Sequence, residues 1–228
     1  MNENSNQIKD NKISKIVELF IVIIGIMLIA LGLVMFNRYL LNKIVIPIRL
    51  VLLILLYWSL LIPIFIATFK RNKLEIFGFT KNHIFTQILV GVGLALVVSF
   101  VLTAVPILLG FREFVGGKPK YTYFPLIAYD FLYMLIAVSF VEELIFRGYI
   151  FHQIKSFNNS KWLAIILSSI IFGFFHIFSG NIVQVIVTSL IGIMFCVLRD
   201  KIKHCSILSL IIIHGLHNWL ITIWLILL

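Results

Sequence analysis

Long apolar runs alternate with short polar stretches along almost the whole chain. Seven of these runs are long enough, or nearly so, to cross about 30 Å of hydrocarbon at about 1.5 Å per helical residue. Helix is the expected form, because a single span in lipid has no other way to satisfy its backbone groups. The predicted spans are Ile16–Phe36, Ile44–Phe69, Ile84–Leu109, Pro125–Phe146, Trp162–Phe178, Ile182–Leu198 and Ile207–Leu228.

The predicted fold class is therefore all-α, a polytopic transmembrane helix bundle of about seven spans, or eight if the outer loop before the fourth span hides a half-span. A polar N-terminal tail, residues 1–15, precedes a single membrane-embedded domain, residues 16–228. The first apolar run is too long for a signal-peptide core and no small-residue cleavage site follows it, so it is predicted to be retained. The second span contains Pro47 and Pro63 and is expected to start late and kink.

Composition supports a membrane protein and excludes a soluble domain. Of 228 residues, 61% are hydrophobic and 12% charged, and the mean hydropathy is +1.11. The net charge of +10 would suggest nucleic acid in a soluble protein. Here the basic residues cluster in short loops, where the positive-inside rule and anionic lipid head groups explain them. The expected partner is the lipid bilayer, and no nucleic acid is expected.

The orientation follows from the basic residues in alternate loops. With the N-terminus inside, the cytoplasmic side holds twelve Lys and Arg residues and the outer side five. This predicts a cytoplasmic N-terminus and, with seven spans, an outer C-terminus. The Ile-, Asn- and Lys-rich composition is typical of a low-GC Gram-positive bacterium, so the predicted location is the bacterial plasma membrane.

A charged cluster is expected inside the fourth span. Of nine acidic residues, six lie in the tail, in loops or at a helix end, and only Asp130, Glu142 and Glu143 lie within an apolar span. A charge at the centre of a span costs about 2.5–3.5 kcal/mol on insertion scales, so such groups mark a functional site by default. Glu143 and Arg147 have the four-residue spacing that favours an ion pair. Glu142 is rotated from Glu143 by about 100° and needs a different reason to be there. Asp130 is expected to be solvated or paired near the outer surface.

Two further spans carry histidines. "FGFFH" places Phe172 and His176 on one face of the fifth span, and "HGLHN" places His214 and Asn218 on one face of the seventh. A single intramembrane His or Asn is often only a helix–helix hydrogen bond, worth about 0.6–2 kcal/mol. A Glu–Glu–Arg cluster with histidines on two other helices is harder to explain in that way. An antiparallel hairpin about the "SFNNS" turn would bring Glu142 and His176 to similar depth, which predicts a shared cavity open to the cytoplasm.

At these residues the sequence resembles a known family. "EELIFR" fits EExxxR, "FGFFH" fits FxxxH and "HGLHN" fits HxxxN, in the right order on the fourth, fifth and seventh spans. These are the motifs of the CPBP (Abi) intramembrane proteases, which include the type II CAAX prenyl endopeptidases and bacterial members linked to bacteriocin maturation or self-immunity. The resemblance covers about residues 125–228, and the first three spans are not diagnostic.

The resemblance implies a role for each motif. In the family the first glutamate of EExxxR and the histidine of FxxxH activate a water, which makes Glu142 and His176 the expected catalytic pair. His214 and Asn218 are expected to stabilise the oxyanion, so that both functions needed for peptide hydrolysis are present. The residues expected to support the structure are Glu143, Arg147 and Phe172.

The implied activity is an intramembrane endopeptidase acting on a peptide or membrane-protein substrate, such as a bacteriocin or pheromone precursor. No cofactor is required for this chemistry. Zinc stays an alternative, with Glu142, His176 and His214 as ligands of suitable type, although the chain has no HExxH motif. Two non-enzymatic alternatives also stay open. One is a bacteriocin self-immunity protein that cleaves nothing, and the other is a proton-coupled transporter, although no inverted repeat is visible.

Overall fold

The computed structural model describes residues 2–68, 77–178 and 180–228. Within these residues all regular structure is helical, and seven helices are long and apolar enough to cross a membrane. They are α1 Asn2–Tyr39, α2 Ile46–Thr68, α3 Ile84–Leu108, α4 Phe124–Asn158, α5 Lys161–Phe178, α6 Ile182–Lys201 and α7 Ile207–Leu227. Short helical turns occupy Leu41–Lys43 and Arg112–Val115. The prediction of an all-α polytopic membrane protein with about seven spans is confirmed. Three basic residues used for the orientation lie outside the described residues: Lys70, Arg71 and Lys73.

Helix α4 is longer than the sequence predicted. It continues for twelve residues beyond Phe146, the expected end of the fourth span, to Asn158. Polar side chains in this extension have partners in α1, since the Tyr149 hydroxyl and the Gln153 amide both donate to Glu18 Oε1, at 3.0 and 2.7 Å. These hydrogen bonds join the extension of α4 to α1.

The turn between α4 and α5 falls within the predicted "SFNNS" segment. Asn159 has a left-handed backbone with φ of 56°, which asparagine tolerates better than most residues and which ends α4. The Ser160 hydroxyl accepts the backbone N–H of Leu163 at 3.3 Å and caps the start of α5.

Helix α2 starts late, as expected. It begins at Ile46, and Pro47 lies in its first turn, where the missing N–H has no partner to lose. A 3₁₀ turn at Ser59–Leu61 interrupts the α-helical bonding just before Pro63. The irregularity occurs where the second proline removes a backbone donor.

Three π-helical stretches interrupt α3 and α4. They lie at Phe100–Ala104 in α3 and at Tyr133–Ser139 and Leu144–Ile150 in α4. In such turns the backbone hydrogen bonds join residues five apart instead of four, and they are frequent at functional sites. Glu142 and Glu143 end the four-residue α-helical segment between the two π stretches of α4.

The described residues form two compact units. Unit I comprises α1, α2, α4 from Leu144 onward, α5, and α6 up to Leu198. Unit II comprises α3, α4 up to Glu143, and α7.

In unit I, small residues allow neighbouring helices to approach closely. A Cβ atom on Gly25 of α1 would lie 3.1 Å from Pro63 Cγ of α2, and one on Gly192 of α6 would lie 2.9 Å from Ser169 Cβ of α5. Helix association in lipid depends on such van der Waals packing, because lipid tails are as apolar as the side chains.

In unit II, α7 packs against both other helices. A Cβ atom on Gly91 of α3 would lie 2.9 Å from Ile212 Cβ of α7, so the two helices meet where one has no side chain. Near its end, α7 is held to α3 by Trp224, whose Nε1 donates to Ser99 Oγ at 2.6 Å. The Ser206 hydroxyl caps the start of α7. Helix α7 is thereby fixed beside the part of α4 that carries the two glutamates.

Candidate active site

The two glutamates of α4 are fully withdrawn from the surface. Glu142 is 2% exposed and Glu143 is 0% exposed. A carboxylate at such a position is stable only where charged or hydrogen-bonding partners replace its lost hydration. Such a partner lies in unit II, on α7.

His214 of α7 lies between the two carboxylates. Its Nδ1 is 2.9 Å from Glu143 Oε1, and its Nε2 is 3.7 Å from Glu142 Oε2. The first distance is that of a hydrogen bond, and the second is beyond one but within ion-pair range. The imidazole ring is 6% exposed, so these interactions are little screened by solvent.

A glycine allows α7 to come close enough for this contact. Gly215 follows His214, and a Cβ atom there would lie 2.8 Å from Ser139 Oγ and 2.9 Å from Leu135 Cα of α4. Any larger residue would push the two backbones apart. Gly215 in "HGLHN" is therefore required for the close packing of α7 against α4, a requirement that the HxxxN pattern does not include.

The hydrogen bond fixes how the proton is arranged on His214. When Glu143 is ionised, its carboxylate only accepts, so Nδ1 carries the proton in the hydrogen bond to Glu143 Oε1. Nε2 then faces Glu142. A carboxylate on Nδ1 orients the ring, as carboxylate partners of histidine do in other active sites.

In unit I, contacts between aromatic rings and a guanidinium group bring Arg147, Phe172 and His176 together. The Arg147 guanidinium lies over the Phe172 ring, 4.2 Å from its centroid, and 5.4 Å from that of Phe195. The Phe172 ring in turn meets the His176 ring edge to face at 5.0 Å. The phenylalanine of FxxxH thus packs against both the arginine of EExxxR and its own histidine.

His176 closes α5, in a 3₁₀ turn at His176–Phe178. Its Nδ1 is 3.0 Å from the Phe172 carbonyl oxygen. A carbonyl only accepts, so Nδ1 donates, and in the neutral ring Nε2 is the nitrogen with a lone pair. This tautomer suits a histidine that accepts a proton through Nε2.

The family model described as Type II CAAX prenyl endopeptidase Rce1-like matches residues 124–220. This match bears out the predicted resemblance over this segment. The Rce1-like match begins with α4 and ends within α7, and it includes all seven residues that the three motifs supplied. Helices α1 to α3 lie outside it. No curated protein and no solved structure matches the chain.

The structure brings the sequence-predicted residues of the Rce1-like segment together in two groups. Unit II contains Glu142, Glu143 and His214 in contact, with Asn218 half-buried one turn further along α7. Unit I contains the second group, formed by Arg147, Phe172 and His176. The catalytic and oxyanion roles of these residues stay predictions.

One partnership was not expected from the sequence. Spacing along α4 predicted Arg147 as the partner of Glu143, whereas the hydrogen bond seen at Glu143 Oε1 comes from His214 on another helix. The four-residue spacing rule assumes α-helical geometry, and Arg147 lies in a π-helical stretch. The Glu143–Arg147 ion pair stays a prediction. The contact with His214 had no sequence signal beyond the presence of both residues in motifs.

Sequence reasoning gave no role to His217, which follows His214 by one turn. His217 is 6% exposed, and its Nδ1 has no hydrogen-bond partner among the residues that the structure describes. A buried, unsatisfied nitrogen beside a candidate site calls for an explanation. Asp130, by contrast, is accounted for: it is buried and its Oδ1 accepts from Lys120 Nζ at 2.8 Å, so it is paired, one of the two expected outcomes.

Within the described part of the chain, no group of three or more His, Cys, Asp or Glu side chains is arranged to hold a metal ion. A preformed zinc site needs three ligands that converge at bonding distance, and the described His, Cys, Asp and Glu side chains do not meet this requirement. The zinc alternative, with Glu142, His176 and His214 as ligands, therefore stays a question for chelation.

Proposed function

We infer that the protein is an intramembrane endopeptidase that hydrolyses a peptide bond by attack of an activated water. The observation that carries this proposal is the buried Glu142–His214–Glu143 cluster, within a segment that matches a protease family. Buried carboxylates and imidazoles in apolar helices are costly, and proteolysis gives each of them a task.

Glu142 is the residue proposed to take the proton from water. Its Oε2 lies 3.7 Å from His214 Nε2, whereas Glu143 makes the closer contact with His214, a hydrogen bond to Nδ1. As the water oxygen bonds to the peptide carbonyl carbon, its proton passes to Glu142, and Glu142 later returns a proton to the departing amine. His176 is proposed to assist Glu142 at the water, as the family pattern implies.

His214 and Asn218 are proposed to stabilise the tetrahedral oxyanion. The imidazolium form of His214 offers an Nε2–H donor, and the amide of Asn218 offers a second donor from the same face of α7. Glu143 supports this role, because a carboxylate on Nδ1 holds the orientation of the ring. In this proposal Glu143 is a positioning residue for His214 and not only a structural one.

The proposed substrate is a peptide or membrane protein that reaches the site from the bilayer or the cytoplasm. The seven apolar helices support an integral membrane location, and a bacterial plasma membrane with a cytoplasmic N-terminus remains the proposed setting. A bacteriocin or pheromone precursor fits this setting. A prenylated CAAX peptide is the substrate class that the family description names.

The test is cleavage by the purified chain in lipid nanodiscs. Farnesylated CAAX peptides, their unprenylated forms and hydrophobic leader peptides are incubated in H₂¹⁸O, and mass spectrometry detects new carboxyl ends carrying ¹⁸O. We expect wild type and Glu113→Gln to cleave at least one class and Glu142→Gln to cleave none. Glu113 is an exposed glutamate in the loop before α4, so it controls for the chemical change itself. Protection of cells against a bacteriocin by wild type and Glu142→Gln alike would instead favour a non-catalytic immunity protein.

A further inference from the structure

A cavity of about 690 Å³ lies between α1 and α2 in unit I. Ten of its twelve lining residues are apolar, and the two polar ones, Ser14 and Glu18, both belong to the start of the apolar part of α1. Its volume falls in the range of small-ligand sites, about 300–1,000 Å³. None of the seven motif residues lines it, so it is separate from the candidate active site.

The cavity has the length of a lipid chain. Its lining along α1 extends from Ser14 to Ile29, fifteen residues or about 22 Å of helix. The helices α1 and α2 are in close contact at Gly25 and Pro63, and both residues line the cavity. Apolar space of this size is a poor site for water, because water needs two to four polar partners. In a bilayer the natural filling is hydrocarbon.

The polar end of the groove holds a fixed carboxylate. Glu18 Oε1 accepts from the Tyr149 hydroxyl at 3.0 Å and from Gln153 Nε2 at 2.7 Å. Both donors are buried, at 0% and 4% exposure, so they anchor Glu18 at the mouth of the cavity. A carboxylate in this place favours a ligand with a cationic hydrogen-bond donor.

Cationic side chains lie on the same helix just before Glu18. Lys15 is three residues earlier and half-buried, and Lys12 is six residues earlier and exposed. At about 100° per residue, Lys15 lies about 60° around the helix from Glu18 and Lys12 about 120°, so Lys15 and the Ser14 hydroxyl are the donors available to an anionic group at the groove. The end of the groove therefore presents both signs of charge within two helical turns, next to an apolar slot.

We propose that this groove binds one acyl chain of a phospholipid whose head group carries both a phosphate and a primary ammonium. The apolar slot takes the chain, Glu18 binds the ammonium, and Lys15 with the Ser14 hydroxyl binds the phosphate. Phosphatidylethanolamine and lysyl phosphatidylglycerol both have this chemistry. A choline head group lacks N–H donors, and a glycerol head group lacks the cation, so both should bind more weakly.

Native mass spectrometry of the delipidated full-length chain in detergent tests this. Four dioleoyl lipids are titrated separately: phosphatidylethanolamine, lysyl phosphatidylglycerol, phosphatidylcholine and phosphatidylglycerol. We expect one tightly bound copy of either amine lipid, with a Kd at least about tenfold lower than for the other two, since one charge-assisted hydrogen bond supplies such a factor. The ratio between the two amine lipids identifies the preferred source.

Two variant pairs locate the binding. Leu28→Trp fills the groove and should weaken amine-lipid binding at least about tenfold. Ile24→Trp is the matched control, because Ile24 is similarly exposed on α1, at 57% against 64%, but does not line the cavity. Glu18→Gln keeps an acceptor for Tyr149 and Gln153 and should remove the preference for amine lipids while chain binding persists. Thermal unfolding checks that all variants fold.

Three results would overturn the proposal. The first is equal binding of all four head groups by wild type. The second is an equal effect of Leu28→Trp and Ile24→Trp. The third is a preference for phosphatidylglycerol that survives Glu18→Gln, which would indicate a purely anionic lipid site made by the lysines.

Discussion

Replacing Glu143 by glutamine should destabilise the protein more than the same replacement at Glu142. Glu143 is 0% exposed and its Oε1 lies 2.9 Å from His214 Nδ1. Hydrogen bonds to charged groups contribute about 1.5–3 kcal/mol, against about 0.5–1.5 kcal/mol between neutral groups. Glutamine retains an acceptor oxygen but no charge, so the expected loss is about 1–2 kcal/mol.

Glu142 gives a different expectation, although the two residues are neighbours. Its Oε2 is 3.7 Å from His214 Nε2, too far for a hydrogen bond. The loss on Glu142→Gln should therefore be well below that for Glu143→Gln. For a protein of about this size, about 1 kcal/mol shifts Tm by about 2–4 °C, so Glu143→Gln should lower Tm by about 2–8 °C.

The assay pairs thermal unfolding with proteolysis on the same preparations. Scanning fluorimetry in detergent gives Tm for wild type, both variants and the exposed control Glu113→Gln. We expect Glu142→Gln to be inactive with nearly wild-type Tm, and Glu143→Gln to lose both stability and kcat. Equal Tm losses at the two positions, or a greater loss at Glu142, would refute the expectation that the hydrogen bond to His214 makes Glu143 the more important of the two for stability.

Four further outcomes are expected. His217→Leu should leave Tm unchanged or raise it, because it removes a buried nitrogen without a partner among the described residues; a fall of several degrees would contradict this. In intact cells an impermeant thiol reagent should label Gly180→Cys and not Asn159→Cys, and the reverse pattern would invert the orientation. Proteolysis should survive a strong chelator, whereas activity lost to chelation and restored by zinc alone would make zinc part of the site. Burial raises the pKa of the Cys205 thiol from 9.0 to about 11, although the charge of Arg199 acts in the opposite direction. Because the pKa is higher in the folded state, the contribution of the thiol to stability is fully present below about pH 9 and is lost as the pH rises towards 11. The Tm of wild type should therefore fall over this range relative to that of Cys205→Ala.

The helices were largely predictable because lipid imposes a simple rule. A run of about twenty apolar residues must be helical to satisfy its backbone, and all seven predicted spans correspond to helices. The extension of α4 to Asn158 was not predictable from that rule. In this extension Tyr149 and Gln153 donate hydrogen bonds to Glu18, which lies more than a hundred residues earlier in the chain, so the local sequence carries no sign of them.

The role of Glu18 was missed for the same reason. From the sequence it lies at the start of the first apolar run and reads as a residue at a helix end. In the structure α1 extends from Asn2, so Glu18 is in the middle of a helix, beside α4 and at the mouth of a cavity. Nothing in the local sequence distinguishes a carboxylate in water from one held by two buried donors.

The π-helical stretches of α4 were also beyond the reach of sequence patterns. No feature of the sequence marks the two stretches, Tyr133–Ser139 and Leu144–Ile150, as different from the α-helical residues beside them. Residue spacing predicts contacts within a helix only where the helical period is uniform. The identity of the motif residues could be predicted, because charged and imidazole groups stand out against apolar spans. Their partners across helices could not, because no spacing rule relates α4 to α7.

The contact between α4 and α7 explains why two adjacent glutamates occur with a histidine. Neighbouring residues on an α-helical segment point about 100° apart, so one partner reaches both carboxylates only if its donors also diverge. Imidazole has two separate ring nitrogens, and both carry protons in the charged form. His214 places Nδ1 against Glu143 and Nε2 towards Glu142. Lysine offers one compact ammonium, and the arginine fork suits two oxygens of a single carboxylate. A single imidazole thus meets both members of the Glu–Glu pair, with a hydrogen bond to Glu143 and a longer contact to Glu142.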